Sequence, residues 1–152
     1  MIKTENLTKT FGELTAVNDL NLVLMSPSGV RYDGNYFTDD DNRNGVLFPE
    51  KVGGLFARLD RPNTGSDFGD IWISYSPDLV HWGDSRVIMK PAAYHWDEMK
   101  IGPGATPFKT DKGWLHIYHG VFKTMSGTVY RLGAALHELD DPANIIGVSD
   151  QW

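Results

Sequence analysis

The chain has 152 residues, 14 Lys and Arg against 20 Asp and Glu, and a formal charge of -6. A hydrophobic content of 41% with 12% aromatics is that of a folded domain, long enough for one hydrophobic core. The acidic balance argues against a nucleic-acid or anionic-membrane partner, no apolar run approaches the ~20 residues that span a bilayer, and the lack of cysteine removes disulfides, thiolate zinc sites and Cys nucleophiles.

The first residues, MIKTENLTKTFGE, mix both charge signs and lack the apolar stretch of a secretory signal, so a cytoplasmic domain is expected. Beyond them, period-2 apolar patterns recur between scattered glycines and prolines, which predicts many short strands joined by turns. The expected strands are 20–25, 45–49, 55–59, 71–75, 86–89, 114–118 and 130–136. Helical turns are expected only at 97–101 and 141–145.

The chain repeats itself. Pro49-Glu-Lys-Val-Gly-Gly-Leu-Phe-Ala-Arg-Leu precedes Ile71-Trp-Ile-Ser-Tyr-Ser-Pro-Asp-Leu, and Pro107-Phe-Lys-Thr-Asp-Lys-Gly-Trp-Leu-His-Ile precedes Tyr130-Arg-Leu-Gly-Ala-Ala-Leu-His-Glu-Leu. The offset between copies is about 58 residues, a period suited to propeller blades. Two blades cannot close a ring of about four to eight, so the repeat implies a fragment or a piece that needs a partner. A β-sandwich with coincidental pairing is the alternative.

Several motifs are recognisable in order. They are Asn42-Arg-Asn-Gly-Val-Leu-Phe-Pro-Glu-Lys51, Ala57-Arg-Leu-Asp-Arg-Pro62, and Asp70-Ile-Trp-Ile-Ser-Tyr-Ser-Pro-Asp-Leu79 with His81-Trp82. Lys100-Ile-Gly-Pro-Gly-Ala-Thr-Pro107, Gly113-Trp-Leu-His-Ile-Tyr-His-Gly-Val121 and Tyr130-Arg-Leu-Gly-Ala-Ala-Leu136 follow. Over residues 40–147 the chain resembles glycoside hydrolase family 130. That resemblance implies an all-β fold, a partial five-bladed β-propeller of about two blades with part of a third. It also implies an inverting phosphorylase of β-mannosides, a glycosyltransferase that uses inorganic phosphate to release α-mannose 1-phosphate, although a minority of the family are hydrolases. The implied partners are a β-mannoside oligosaccharide and inorganic phosphate as co-substrate, with no cofactor and no metal.

Residues 1–22 resemble something else, the opening of an ABC-transporter ATP-binding subunit, through Ile2-Lys-Thr-Glu-Asn-Leu-Thr-Lys-Thr-Phe-Gly12, Ala16-Val17 and Leu20-Asn-Leu22. The phosphate-binding loop that should follow is missing, as no Gly-Lys pair occurs anywhere. Nucleotide hydrolysis has no machinery without it. The expected division is therefore 1–22 as a remnant or fused segment and 23–152 as the propeller-like domain.

Phosphorolysis needs a dianion held by convergent Arg and Lys donors. Carried over motif by motif, the resemblance implies phosphate binding by Arg43, Asn44, Arg61, Lys100 and Tyr130, and substrate binding by His119. Strand parity puts Arg58 and Asp60 on one face, able to form an ion pair, with Arg61 on the other. His116 and His119, three apart on a strand, face opposite sides and cannot share a metal ion unless a bulge intervenes. His81 and His95 are expected to pack or stack beside Trp82 and Trp96, and most tryptophans to sit in blade cores. Asp78 is expected to cap a turn, and Glu50 suits a structural or a sugar-binding role equally. The run Asp39-Asp40-Asp41 has turn composition without calcium-loop spacing. No residue matches the family's general acid, which belongs upstream of Arg43, so the chain alone is expected to be inactive. The competing reading is a non-catalytic β domain that binds glycan or self-assembles into a homo-oligomer through open blade edges.

Overall fold

The computed structural model describes residues 2–24, 42–62 and 69–152. Every regular element among them is a strand, as the alternating patterns predict. β1 (Ile2–Phe11) and β2 (Leu14–Leu24) form an antiparallel hairpin running from Ile2 opposite Leu24 to Phe11 opposite Leu14. The expected strand at 20–25 is the second half of β2 up to Leu24.

Two larger antiparallel sheets follow. The first takes β3 (Asn42–Leu47), β4 (Phe56–Pro62), β5 (Ile71–Ser76) and β6 (Gly83–Met89) in chain order. The second is built on β7 (Lys100–Pro103), β8 (Phe108–Thr110), β9 (Gly113–Thr124), β10 (Gly127–His137) and β11 (Ile145–Val148). Its order is β7-β9-β10-β11, with β8 also paired to β9. Each sheet is an up-and-down ladder of the propeller-blade type, so the described part of the chain is a partial β-propeller. The repeat seen in the sequence is the blade: Ile71 and Tyr130 both lie in the third strand of their sheets.

Neither of the expected helical turns forms. At 141–145, the Asp141 carboxylate accepts from the Ala143 amide at 3.2 Å and its carbonyl from the Asn144 amide at 2.9 Å, closing a tight turn that leads into β11. At 97–101, the Met99 amide donates to the Val121 carbonyl at 2.9 Å, which pulls the segment onto β9 and starts β7. Strands β1, β7, β8 and β11 were not expected. β7 reads Lys-Ile-Gly-Pro, a loop by composition, and becomes a strand because β9 offers it a ladder.

The core lies between the two sheets. Ala57, Leu59, Ile71 and Ile73 from the first blade and Ile101, Tyr118 and Ala135 from the second are buried almost completely. Phe48 bridges them, meeting Trp114 edge-on at 5.4 Å and His137 at 6.1 Å. Burying each large aliphatic here contributes about 1.5–3 kcal/mol, so the two blades stabilise each other mainly through this seam. No helix among the described residues is long and apolar enough to cross a membrane.

The expected turn cap is present. Asp78 accepts from the Val80 and His81 amides at 2.9 and 2.8 Å, and Ser76 accepts from the Leu79 amide at 2.8 Å. Glu50 forms an ion pair with Lys109 at 2.9 Å, joining the loop after β3 to β8 of the second blade. Trp82, Trp96 and Trp114 are core residues, whereas Trp152 is largely exposed. Asp39, Asp40 and Asp41 lie outside the described residues.

Candidate functional site

The residues of interest lie on β3 and β4 of the first blade and on β7, β9 and β10 of the second, and β3 and β4 both approach β7. In β3, Asn42 pairs with Pro62 and Arg43 with Arg61, after which the register slips before Val46 meets Leu59. The slip is a bulge at Asn44, whose φ of 59° lies in the left-handed region that asparagine tolerates better than most residues. It re-aims the side chain out of the ladder, and Asn44 Nδ2 comes 3.3 Å from His119 Nε2 on the neighbouring blade.

β4 sorts its charges by parity, as expected. Arg58 turns into the blade and pairs with Asp60 at 2.8 Å. Arg61, on the other face, runs toward β7. A Cβ on Gly69 would lie 2.7 Å from Arg61 Cδ and 3.2 Å from Lys100 Cβ, so both stems pass over this glycine and lie side by side. The Gly69 carbonyl accepts from the Ile101 amide at 2.9 Å, tying the start of one blade's third strand to the first strand of the next.

On the second blade, Lys100 and Tyr130 both lie opposite Val121 on β9, one from each side, and therefore share a face. Lys100 Nζ stands 5.7 Å from the Tyr130 ring centre. His119, two residues before Val121, is on that face as well, its ring 6.0 Å from that of Tyr130. Its pKa lies below the usual 6.5 because burial and then the charges of Arg61 and Lys100 disfavour the imidazolium.

All six residues named from the sequence are thereby located. Asn44, Arg61, Lys100, His119 and Tyr130 converge across the seam, and Arg43 stands opposite Arg61 in the ladder. His116 and His119 do face opposite sides, since His116 is fully buried against His137 while His119 joins the cluster. No group of three or more potential metal ligands occurs among the described residues. An arrangement of two or three cations, a carboxamide, a phenol and a neutral imidazole suits a multiply charged oxyanion.

Three parts of the site were not foreseen. Gly102 sits beneath the Asn44–His119 contact, where a Cβ would approach Asn44 Nδ2 and His119 Cε1 to 2.7 Å. Buried Asp60 accepts from Asn42 Nδ2 at 3.2 Å and so fixes the strand just before the bulge. A cavity of about 410 Å³ adjoins the cluster, lined by His119, Tyr130, Arg131, Leu132 and Trp152. The Lys-x-Gly spacing of Lys100 and Gly102 was a usable signal for the first of these. The exposed Trp152, with the Arg131 guanidinium 5.4 Å from its ring, had none in its local pattern.

Comparison with known proteins places the fold. Residues 23–152 match the family model of glycoside hydrolase family 130, described as β-1,4-mannooligosaccharide phosphorylase. A β-1,4-mannooligosaccharide phosphorylase of Ruminococcus albus is 44% identical over 103 residues, covering 66% of this chain and 30% of the relative. A 4-O-β-D-mannosyl-D-glucose phosphorylase of Bacteroides fragilis is 38% identical over 116 residues, covering 72% of this chain and 30% of the relative. The solved β-1,2-mannobiose phosphorylase of Listeria innocua, in complex with β-1,2-mannobiose, superposes with a TM-score of 0.68 at 37% identity. It covers 78% of this chain, which matches 33% of that one. The chain thus spans about a third of the length of these relatives.

Proposed function

The chain belongs to glycoside hydrolase family 130, and on that premise we propose that its two blades carry the phosphate-binding part of an inverting β-mannoside phosphorylase. The observation that carries the proposal is the meeting of Arg61 and Lys100, from different blades, over Gly69, with Asn44, His119 and Tyr130 around them. The like charges of Arg43 and Arg61, opposite each other in the ladder, favour an anion in the same place. In the proposed reaction a phosphate oxygen attacks the anomeric carbon on the face away from the leaving sugar. The glycosidic C–O bond breaks, the leaving oxygen takes up a proton, and α-mannose 1-phosphate results. We assign no general acid to this chain.

The relatives named above share phosphate as a co-substrate by name and differ in linkage and acceptor, so the proposed substrate class is β-mannosides in general. The cavity beside His119 and Tyr130 is large enough for a sugar ring, which supports a sugar subsite next to the phosphate. We further assign residues 23–152 to the propeller domain and 1–22 to a separate segment, supported by the family match beginning at residue 23. A cytoplasmic location fits substrates of this kind. The open ladder edges of β6 and β11 suit self-association, which a concentration-independent monomer in sedimentation would refute.

Thermal unfolding tests the phosphate assignment. Phosphate at 100 times its dissociation constant stabilises a fold by about 2.7 kcal/mol and raises its midpoint by several degrees. That rise is expected for the unsubstituted chain and is expected to vanish in Arg61→Ala. An equal rise in a non-phosphate salt of matched ionic strength, or an undiminished rise in Arg61→Ala, contradicts the proposal.

A further inference from the structure

The contacts of His119 define a role beyond lining the site. Asn44 meets His119 through its carboxamide nitrogen, which can only donate, so a neutral ring must turn a bare nitrogen to it and keep its single proton on Nδ1. The other nitrogen, Nε2, is then a bare acceptor, and it faces the Asn44 carboxamide nitrogen at 3.3 Å. One N–H of that carboxamide is spent on His119. The His119 ring that takes it also feels the charges of Arg61 and Lys100.

We propose that His119 is a positioning residue, whose Nε2 accepts one N–H of Asn44 and thereby turns the other N–H into the basic cluster as an anion donor. Gly102 makes the contact possible, because any side chain there would occupy the space between the two partners. The clamp also spans the seam, since Asn44 belongs to β3 and His119 to β9. It couples the geometry of the anion site to correct docking of one blade on the next. The proposal rests on the phosphate reading only for the identity of the anion.

A protonated His119 would present a donor to a donor, so the clamp needs the neutral ring. The groups facing His119 hold it in that form: Arg61 from β4 and Lys100 from β7 repel a second proton, Asn44 from β3 is uncharged, and Tyr130 from β10 sets its ring beside the imidazole. Burial acts in the same direction. The clamp is therefore intact at neutral pH and opens only in acid, below the ordinary histidine value of 6.5.

Nitrogen-15 spectra of the phosphate-free chain test the proposal directly. At pH 7 His119 is expected as the Nδ1–H tautomer with an unprotonated Nε2, and His119→Ala is expected to move the Asn44 side-chain amide signals. Phosphate affinity should fall about tenfold in His119→Ala, the upper range for one hydrogen bond. His119→Gln, whose amide oxygen reaches the Nε2 position, should restore affinity to within about threefold and remove the acid limit. An Nε2–H tautomer or an imidazolium at pH 7 overturns the proposal without any variant having to fold. Asn44 signals indifferent to His119→Ala overturn it as well. An intact Asn44–His119 coupling in a chain that binds no phosphate upholds the clamp and refutes the phosphate reading instead.

Discussion

Replacing Asp60 by alanine is expected to destabilise the chain by about 3–5 kcal/mol, measured by denaturant unfolding. Asp60 is 1% exposed and has no water to fall back on. Its carboxylate holds Arg58 at 2.8 Å and accepts from Ser74 at 3.0 Å and from Asn42 at 3.2 Å. Burial pushes the Asp60 pKa up and pulls that of Arg58 down, and in each case the partner's charge opposes the shift. Removing the acid leaves a buried guanidinium, 4.1 Å from the Trp82 ring centre, with its main counter-charge gone. Removing both charges is different. Arg58→Met with Asp60→Leu is expected to recover most of the loss, because the desolvation cost disappears with the pair. A single Asp60→Ala cost below about 1 kcal/mol would show that the pair is already solvated.

Acid is expected to unfold the chain at a higher pH than carboxylate titration alone explains. His137 Nδ1 donates to the Pro142 carbonyl at 2.6 Å, and its Nε2 lies 3.4 Å from His116 Nδ1, both rings being fully buried. Burial, reinforced by His137 and His119, pulls the His116 pKa down to about 3, and burial lowers that of His137. A folded pKa below the unfolded one means that the unfolded chain binds the extra proton. Stability is therefore complete above the ordinary value of 6.5 and declines as pH falls below it, for His116 until about pH 3. The decline is about 1.4 kcal/mol per pH unit for each histidine while its folded form stays neutral. Between pH 7.5 and 5.5 the unfolding free energy should drop by about 1–3 kcal/mol. Equal stability at the two pH values would show that the unfolded chain takes up no more protons than the folded one.

Much of this architecture was legible in the sequence because it is local. Alternation exposed most strands, the offset of about 58 residues between Pro49 and Pro107 exposed the blade, and parity separated Arg58 and Asp60 from Arg61. What escaped depends on contacts that a local pattern does not record. Nothing in Lys-Ile-Gly-Pro marks β7 as a strand until β9 lies beside it, and the one-turn helices at 97–101 and 141–145 lost to a ladder bond with Val121 and to a turn closed by Asp141. The site residues were named through family motifs, but the reason they function together was not in those motifs. Asn44 reaches His119 because a bulge tips it and Gly102 leaves room, and a period-2 pattern records neither.

The central claim, that two blades alone assemble an oxyanion site, is tested most directly by titrating the isotope-labelled chain with inorganic phosphate and following its backbone and side-chain amide spectra. The account predicts saturable shifts centred on Asn44, Arg61, Lys100, Gly102 and His119, with Lys109, which is engaged by Glu50, unaffected. Shifts spread over all lysines and arginines without saturation, or none at all in a cooperatively folded chain, would contradict it.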